Sequence, residues 1–481
     1  MNPVRLVAAQ EWRLMWRSHV ARLALVMVIA LSALAALTSI AHRDQSDGLR
    51  ARFQAQADRE FDGQPARHPH RMVHYGHFVF RPLPALAAFD PGVDGFTGNT
   101  IFLEGHRQNS ANFGDVRQSS LLARFGQLTP AFVLQVLGPL VLVFVGFGAI
   151  ARERESGTLR FLKAQGLSAP RLIAGKTLAL GGIAAVILLP ALLSLGWLVA
   201  GEAAPLPGAV LLAACYSLYL LFWVLAVVAV SAMARDARSA LLSLLGLWAL
   251  ATVLVPRIAP DIALAATPLP TRLETDIAIH EDLRRIGDSH NPDDPHFAAF
   301  KAATLKRYGV SRVEDLPVNY RGLVAMEGEK ITSQLFDRYS NAQFASQKQQ
   351  SSMATGFGLL SPAIALRSAS MALSGTDLDG HKRFLEQAEA YRYAIVQALN
   401  RLQAEAVTYA DDGNRNSDPE AARRVRIDPK HWHEVPDFAY RSATLGERVQ
   451  AAIPGMAMLL LWFLAGVLML RLAARRVGEA L

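Results

Sequence analysis

The chain has 481 residues, of which 52% are hydrophobic and only 19% charged, with a formal net charge of +8 and a pI near 9.7. Charges are missing from whole windows of the sequence, which excludes an ordinary soluble multidomain protein. The single cysteine, Cys215, excludes an intramolecular disulfide and any thiol-based metal or redox centre.

Pro3 to His19 comes first. Val4, Val7, Ala8, Trp12, Met15 and Trp16 fall on one helical face, with Arg5, Gln10, Arg13 and Arg17 on the other. This pattern predicts an amphipathic helix over 1–19, lying in the inner headgroup layer with Trp12 and Trp16 at the interface. A bilayer core about 30 Å thick takes roughly 20 helical residues. Six charge-free runs of that order follow, at 23–41, 129–150, 177–200, 207–233, 239–256 and 452–470. With their flanks they predict spans at 20–41, 129–150, 173–200, 207–233, 239–256 and 452–472. The first run is too long for a secretory leader, and its exit, Ser39-Ile40-Ala41-His42, is a poor cleavage site, so it is expected to remain as an anchor.

Basic residues set the orientation. With both termini inside, the inner pieces 1–22, 151–176, 234–238 and 471–481 hold 15 Lys and Arg against 5 Asp and Glu. The pI thus follows the positive-inside rule and does not mark a nucleic-acid partner. Glu202 then faces out, while Arg235 and Arg238 face in. Residues 151–172 form a cytoplasmic segment and 473–481 a cytoplasmic tail.

Two long insertions face outward. Residues 42–128 begin with a helix-compatible stretch, Asp47 to Phe61, and continue with Gly, Pro and aromatic residues that suggest turns and short strands. Residues 257–451 are mainly helical, with periodicity over Leu273–Ile286, Phe297–Tyr308, Asn319–Gln350, Pro362–Ser374 and Asp379–Tyr409. Gly309 and Gly375 are helix stops, and Asp-rich loops lie at 288–294 and 411–418. The expected fold is an all-α polytopic membrane protein with six spans and two separate extracytoplasmic domains.

The most informative segment follows the second span. Arg152, Glu153, Arg154 and Glu155 alternate in charge before Gly157, Thr158, Leu159, Phe161 and Leu162. Gly166 and Ser168-Ala169-Pro170 then stop one helix and start the next. Basic residues alone would set topology, so the acidic pair points to a short helix that docks on a partner. Glu153 and Glu155 would bond that partner, and Leu159, Phe161 and Leu162 would fill its groove. Replacing both acids by alanine is expected to uncouple the protein without preventing insertion.

Glu-Arg-Glu-x-Gly-Thr-Leu, with Gly175-Lys176 some fifteen residues on at the mouth of a span, resembles the coupling segment of type-2 ABC exporter permeases. The six spans and the interfacial first helix are similar too. Further stretches resemble the branch of that family with large outer domains: His74-Tyr75-Gly76, Arg81-Pro82, Asp90-Pro91-Gly92-Val93, Leu103 to Asn109, Leu360-Ser361-Pro362, Ser374-Gly375-Thr376-Asp377, His381, Phe384 and Tyr391-Arg392. The resemblance implies a permease subunit of a bacterial inner membrane, pairing with a second permease, the same or a sibling, and with two copies of a separate ATPase that carries the ATP and Mg²⁺. A mechanotransmitter that moves periplasmic partners without transport is the alternative.

This chain is not expected to bind nucleotide or a cofactor itself. Gly175-Lys176-Thr177 imitates the end of a phosphate-binding loop, but the glycine needed five residues earlier is Pro170, and no strand precedes it. His280-Glu281 is followed by Arg284 where a zinc-protease helix needs histidine. His68, His70, His74 and His77 are weak metal candidates whose spacing matches no defined site.

Overall fold

The computed structural model describes residues 2–111, 128–201, 203–288, 291 and 294–479. Glu202 and most of the Asp-rich loop at 288–294 lie outside the described residues, as does 112–127 of the first insertion. Among the described residues six helices are long and apolar enough to cross a membrane, in the six expected places. The all-α expectation holds.

Helix α1 (Pro3–Arg17) is capped by the Asn2 side chain and ends at Ser18, whose hydroxyl caps α2 (His19–Asp62). No proline interrupts α2, so its 44 residues run unbroken until Gly63. That is about 66 Å, twice the apolar thickness of a bilayer. The expected boundary at residue 41 is therefore not a structural break, because the first span and the first insertion share one rod.

The second span opens with a turn capped by Thr129, passes through a wide π-helical turn at Val133–Leu137 and continues as α4 (Gly138–Gly146). Pro139 cannot donate to the carbonyl of Gln135, and the sequence supplies substitutes. The Tyr219 hydroxyl donates to that carbonyl at 2.7 Å, and Trp248 Nε1 donates to the carbonyl of Val136 at 3.1 Å. Two short helices, α5 (Ala151–Glu155) and α6 (Thr158–Ala164), precede the third span, α7 (Ala169–Ala200). The fourth span, α8 (Leu206–Met233), is the central one: Tyr216, Tyr219, Trp223 and Val224 are fully buried. The fifth, α9 (Ala237–Trp248), continues through a π-helical turn into α10 (Val255–Ala266), ten residues beyond the expected exit.

The two insertions were expected as separate domains. They form one head. From the first come α3 (Pro69–Tyr75) and an antiparallel pair, β1 (His77–Phe80) with β2 (Thr100–Leu103), in register His77 to Leu103. From the second come α11 (Arg272–Ile286), α12 (Pro295–Tyr308), α13 (Tyr320–Gly356) and α15 (Leu378–Ala406), while α14 (Pro362–Ser374), between the last two, packs elsewhere. One core mixes Phe61, Met72 and Val73 with Ile395, Leu399 and Trp432; another mixes Val79, Ile101 and Leu103 with Phe384 and Ala388. Each insertion supplies part of both cores. Buried Asp412 ties them further, accepting from His68 Nε2 at 3.1 Å, Asn319 Nδ2 at 2.8 Å and Gln403 Nε2 at 2.9 Å.

Helix α14 departs from expectation. It was placed in the outer domain, yet Ala365, Leu366, Ala369 and Leu373 belong to the core of the membrane bundle. It packs between α8 and the last span, α16 (Leu445–Glu479). Small residues allow this, as in membrane helix pairs generally. A β-carbon on Gly455 would lie 2.6 Å from the carbonyl oxygen of Ala365. At the tip of the re-entry, Ser361 Oγ donates to the carbonyl of Ala251 at 2.5 Å, and Trp462 Nε1 to that of Gly358 at 2.8 Å.

Gly455→Ala is expected to cost about 1–3 kcal/mol by forcing α14 off α16, read as a lower melting temperature in detergent. Burial raises the Asp412 pKa, but the hydrogen bonds from His68, Gln403 and Asn319 outweigh it and hold the carboxyl well below the usual range. A depressed carboxylate stabilises above its unfolded pKa, near 3.9, and that contribution is lost as pH falls through the folded value. Asp412→Asn should therefore lower the melting temperature at pH 7 and flatten its decline in acid below pH 4.

Candidate functional site

Residues 151–166, the foot, lie at the end of the bundle where α1 meets α7 and α16 finishes. Gly157 (φ 77°) breaks α5 from α6, and Gly166 (φ 84°) ends α6; both sit in the left-handed region that glycine occupies without strain. The predicted short helix between two glycines is therefore present. Several of the foot's side chains, however, meet the chain's own spans rather than pointing away from them.

Arg154 lies across the C-terminal end of α8, donating to the carbonyl of Ala232 at 2.5 Å and to that of Ala234. Glu155 Oε2 accepts from the backbone N–H of Ala237, the first residue of α9, at 3.3 Å. Lys163 Nζ donates to the carbonyls of Val477 and Gly478, at the end of α16, at 2.9 and 3.0 Å. Each charge opposes the partial charge of the helix end it meets: cations at two C-termini, a carboxylate at an N-terminus. Such contacts contribute about 0.3–1 kcal/mol each, more where partly buried. The Ser231 hydroxyl accepts from the N–H groups of Ile150 and Ala151 at 3.0 and 3.1 Å, fixing the entry to the foot on α8.

Glu153 was expected to reach a partner. It faces inward and pairs with Lys176 of α7, whose Nζ also donates to Glu11 Oε2 at 2.5 Å. Lys176 is only 4% exposed. This cation, near the start of α7, joins foot, third span and α1. Gly175 serves the same joint, since a β-carbon there would meet Val7 of α1 at 2.6 Å. Of the three apolar residues expected to fill a partner's groove, Leu159 is 5% exposed and Leu162 packs on the bundle core; Phe161, 63% exposed, faces outward. Arg152 stacks on Phe147, its guanidinium 4.6 Å from the ring centre. Thr158 is exposed, as are Trp16, Arg13 and Arg17, while Trp12 is half-buried against Gly182 of α7. Helix α1 thus lays part of its apolar face on α7.

Glu11, Lys163 and Ser231 carry this geometry and escaped the sequence reading. Glu11 left a signal: it sits at helical spacing between Val7 and Met15, an acid inside an apolar stripe. Lys163 and Ser231 left none.

The histidines separate into different environments. His68 is bound to Asp412, and His77 Nε2 lies 3.1 Å from Asp58 Oδ1. His70 and His74 meet on α3, their Nε2 atoms 3.2 Å apart, beside His106. Burial, then the neighbouring His74 and His106, push the His70 pKa down to about 4, so its ring is neutral at pH 7.

Lys176→Met would leave Glu11 and Glu153 buried together without a cation. Breaking such a group costs about 3–5 kcal/mol, so the melting temperature in detergent should fall sharply. Adding Glu11→Gln and Glu153→Gln should restore most of the loss; failure to restore it would assign the role of Lys176 to packing.

The chain matches the ABC-2 family transporter protein family over residues 5–292, more than half its length. Residues 272–441 match a second family, a domain of unknown function (DUF3526). No individually curated protein matches the chain. The first match contains most of α1, five of the six spans and the whole foot; the second contains most of the head contributed by the second insertion. The chain therefore belongs to the ABC-2 family of transporter proteins and is a multi-pass membrane permease component.

Proposed function

We propose that this chain is the membrane-spanning subunit of an ATP-driven exporter, moved by a separate ATPase that docks on residues 151–166. The observation that carries this reading is the set of charged contacts tying that segment to α1, α7, α8, α9 and α16. A force applied to the foot reaches the ends of four spans through hydrogen bonds and ion pairs, with no flexible linker between. Glu153 acts within the chain as part of this linkage, and Phe161, with the neighbouring exposed Arg160, supplies the outward contact.

In this reading the foot and both termini lie in the cytoplasm of a bacterial cell, and the head lies outside the inner membrane. ATP and Mg²⁺ belong to the partner, present in two copies across a pair of permeases. The positive-inside distribution of Lys and Arg supports that orientation.

Phe161→Ala is expected to lower co-purification of the ATPase from native membranes about 10-fold or more, the usual effect of removing a central aromatic anchor. Its melting temperature should stay at the wild-type value. Leu159→Ala, by contrast, should destabilise the chain itself by about 2–5 kcal/mol. Undiminished ATPase recovery with Phe161→Ala and Arg160→Ala combined would remove the foot from the docking surface. Labelling of a cysteine at position 161 from the head side of the membrane would overturn the orientation.

A further inference from the structure

Three imidazoles from two separate elements converge on the head. His70 and His74 stand one turn apart on α3, and His106 follows β2. One ring nitrogen from each lies within 4.8 Å of the others. We propose that His70, His74 and His106 form a three-nitrogen site for a borderline divalent transition ion of the Zn²⁺ or Cu²⁺ class.

The spacing fits such an ion. Metal–nitrogen bonds of about 2.0–2.1 Å in a tetrahedron place ligand atoms about 3.3 Å apart. The Nε2 atoms of His70 and His74 are already 3.2 Å apart. Neutral imidazoles without thiolate or carboxylate in the set select Zn²⁺, Cu²⁺ or Ni²⁺ over Mg²⁺ and Ca²⁺, which take oxygen. Three protein ligands leave a fourth position, and the exposed His74 puts the cluster within reach of an ion from solvent.

His106 is built into place. Its φ of 64° is the one positive value at a non-glycine residue among the described residues. The carboxylate of Glu329 supports this conformation: Oε2 accepts from the His106 backbone N–H at 3.1 Å and lies 3.5 Å from its Nδ1. Glu329 is itself fully buried and paired with Arg392 Nη1 at 2.6 Å. A carboxylate behind a ligating histidine orients the ring and raises its basicity. Gly105 completes the approach, because a β-carbon there would lie 2.3 Å from Val73 Cγ1 of α3. A simple hydrogen bond between His70 and His74 would account for their own contact, but not for a third ring brought in from another element on a buried carboxylate.

The test uses the full chain in detergent, purified without a histidine tag and titrated with Zn²⁺, Cu²⁺ and Co²⁺. One equivalent per chain is expected to bind, with Co²⁺ giving the strong visible bands of a four-coordinate centre. His74→Gln removes an exposed side chain and should weaken that equivalent at least 100-fold. His106→Asn, a residue that also tolerates positive φ, should do the same. His431→Ala, outside the cluster, should leave it intact. Melting temperatures establish that the variants are folded. Absence of the equivalent in the wild type, or its survival in both His74→Gln and His106→Asn, would overturn the proposal, as would equal binding of Mg²⁺.

Discussion

Lys176 is the joint on which the membrane half of this protein depends. A primary amine buried at the mouth of a span is costly unless it is paired, and here two carboxylates from different elements pair it. The amphipathic first helix, the third span and the foot are consequently one unit. Removing Lys176 would leave both carboxylates without a counter-charge, whereas removing either acid leaves the amine one partner. The spans α8, α9 and α16 join this unit through their ends, where backbone carbonyls or N–H groups lacking helical partners meet side chains of opposite charge. Satisfying the ends of helices and holding the foot against the spans are, in this arrangement, the same set of bonds.

The head obeys a different constraint. With a lone cysteine buried in α8, its stability must come from packing and polar satisfaction. Two insertions far apart in sequence each contribute part of two apolar cores. The short motifs that resemble one branch of the family sit at the seams between them. Asp90 accepts from the Ser370 hydroxyl, its own carbonyl accepts from Thr376 Oγ1 at 3.0 Å, and Val93 N donates to the carbonyl of Thr376 at 2.9 Å. Arg392 reaches the Glu104 carbonyl at 3.2 Å. Ser370 also lies 3.0 Å from the Tyr216 hydroxyl of the central span, so the same seam continues into the bundle. Head and spans are therefore coupled through side-chain hydrogen bonds as well as through the unbroken rod of α2.

Where the sequence reading and the structure diverge, the reason is physical in each case. Glu153 of the foot was read as facing a partner because a charge pattern shows that a counter-charge is needed but not where it lies. Glu153 finds its counter-charge 23 residues further along, on α7. Helix α14 was read as part of the outer domain because it falls within the insertion 257–451 and is too short to span a bilayer. Its alanines nevertheless pack against Gly455, and its serines meet partners inside the bundle. His106 was passed over as a metal ligand because residues 36 apart in sequence from His70 share no spacing rule.

Residue order alone determined the number and place of the spans, the glycine-bounded helix of the foot and the mainly helical second insertion, because length, apolarity and stop signals are local properties. It also determined that this is a membrane component of the ABC-2 kind, since the foot and seam motifs are short and contiguous. Only the tertiary structure decided which charges face inward, that two insertions make one head, that α14 re-enters the bundle and that three histidines meet. Those outcomes depend on pairing between residues tens to hundreds of positions apart, and periodicity holds no record of what a side chain will find across the fold.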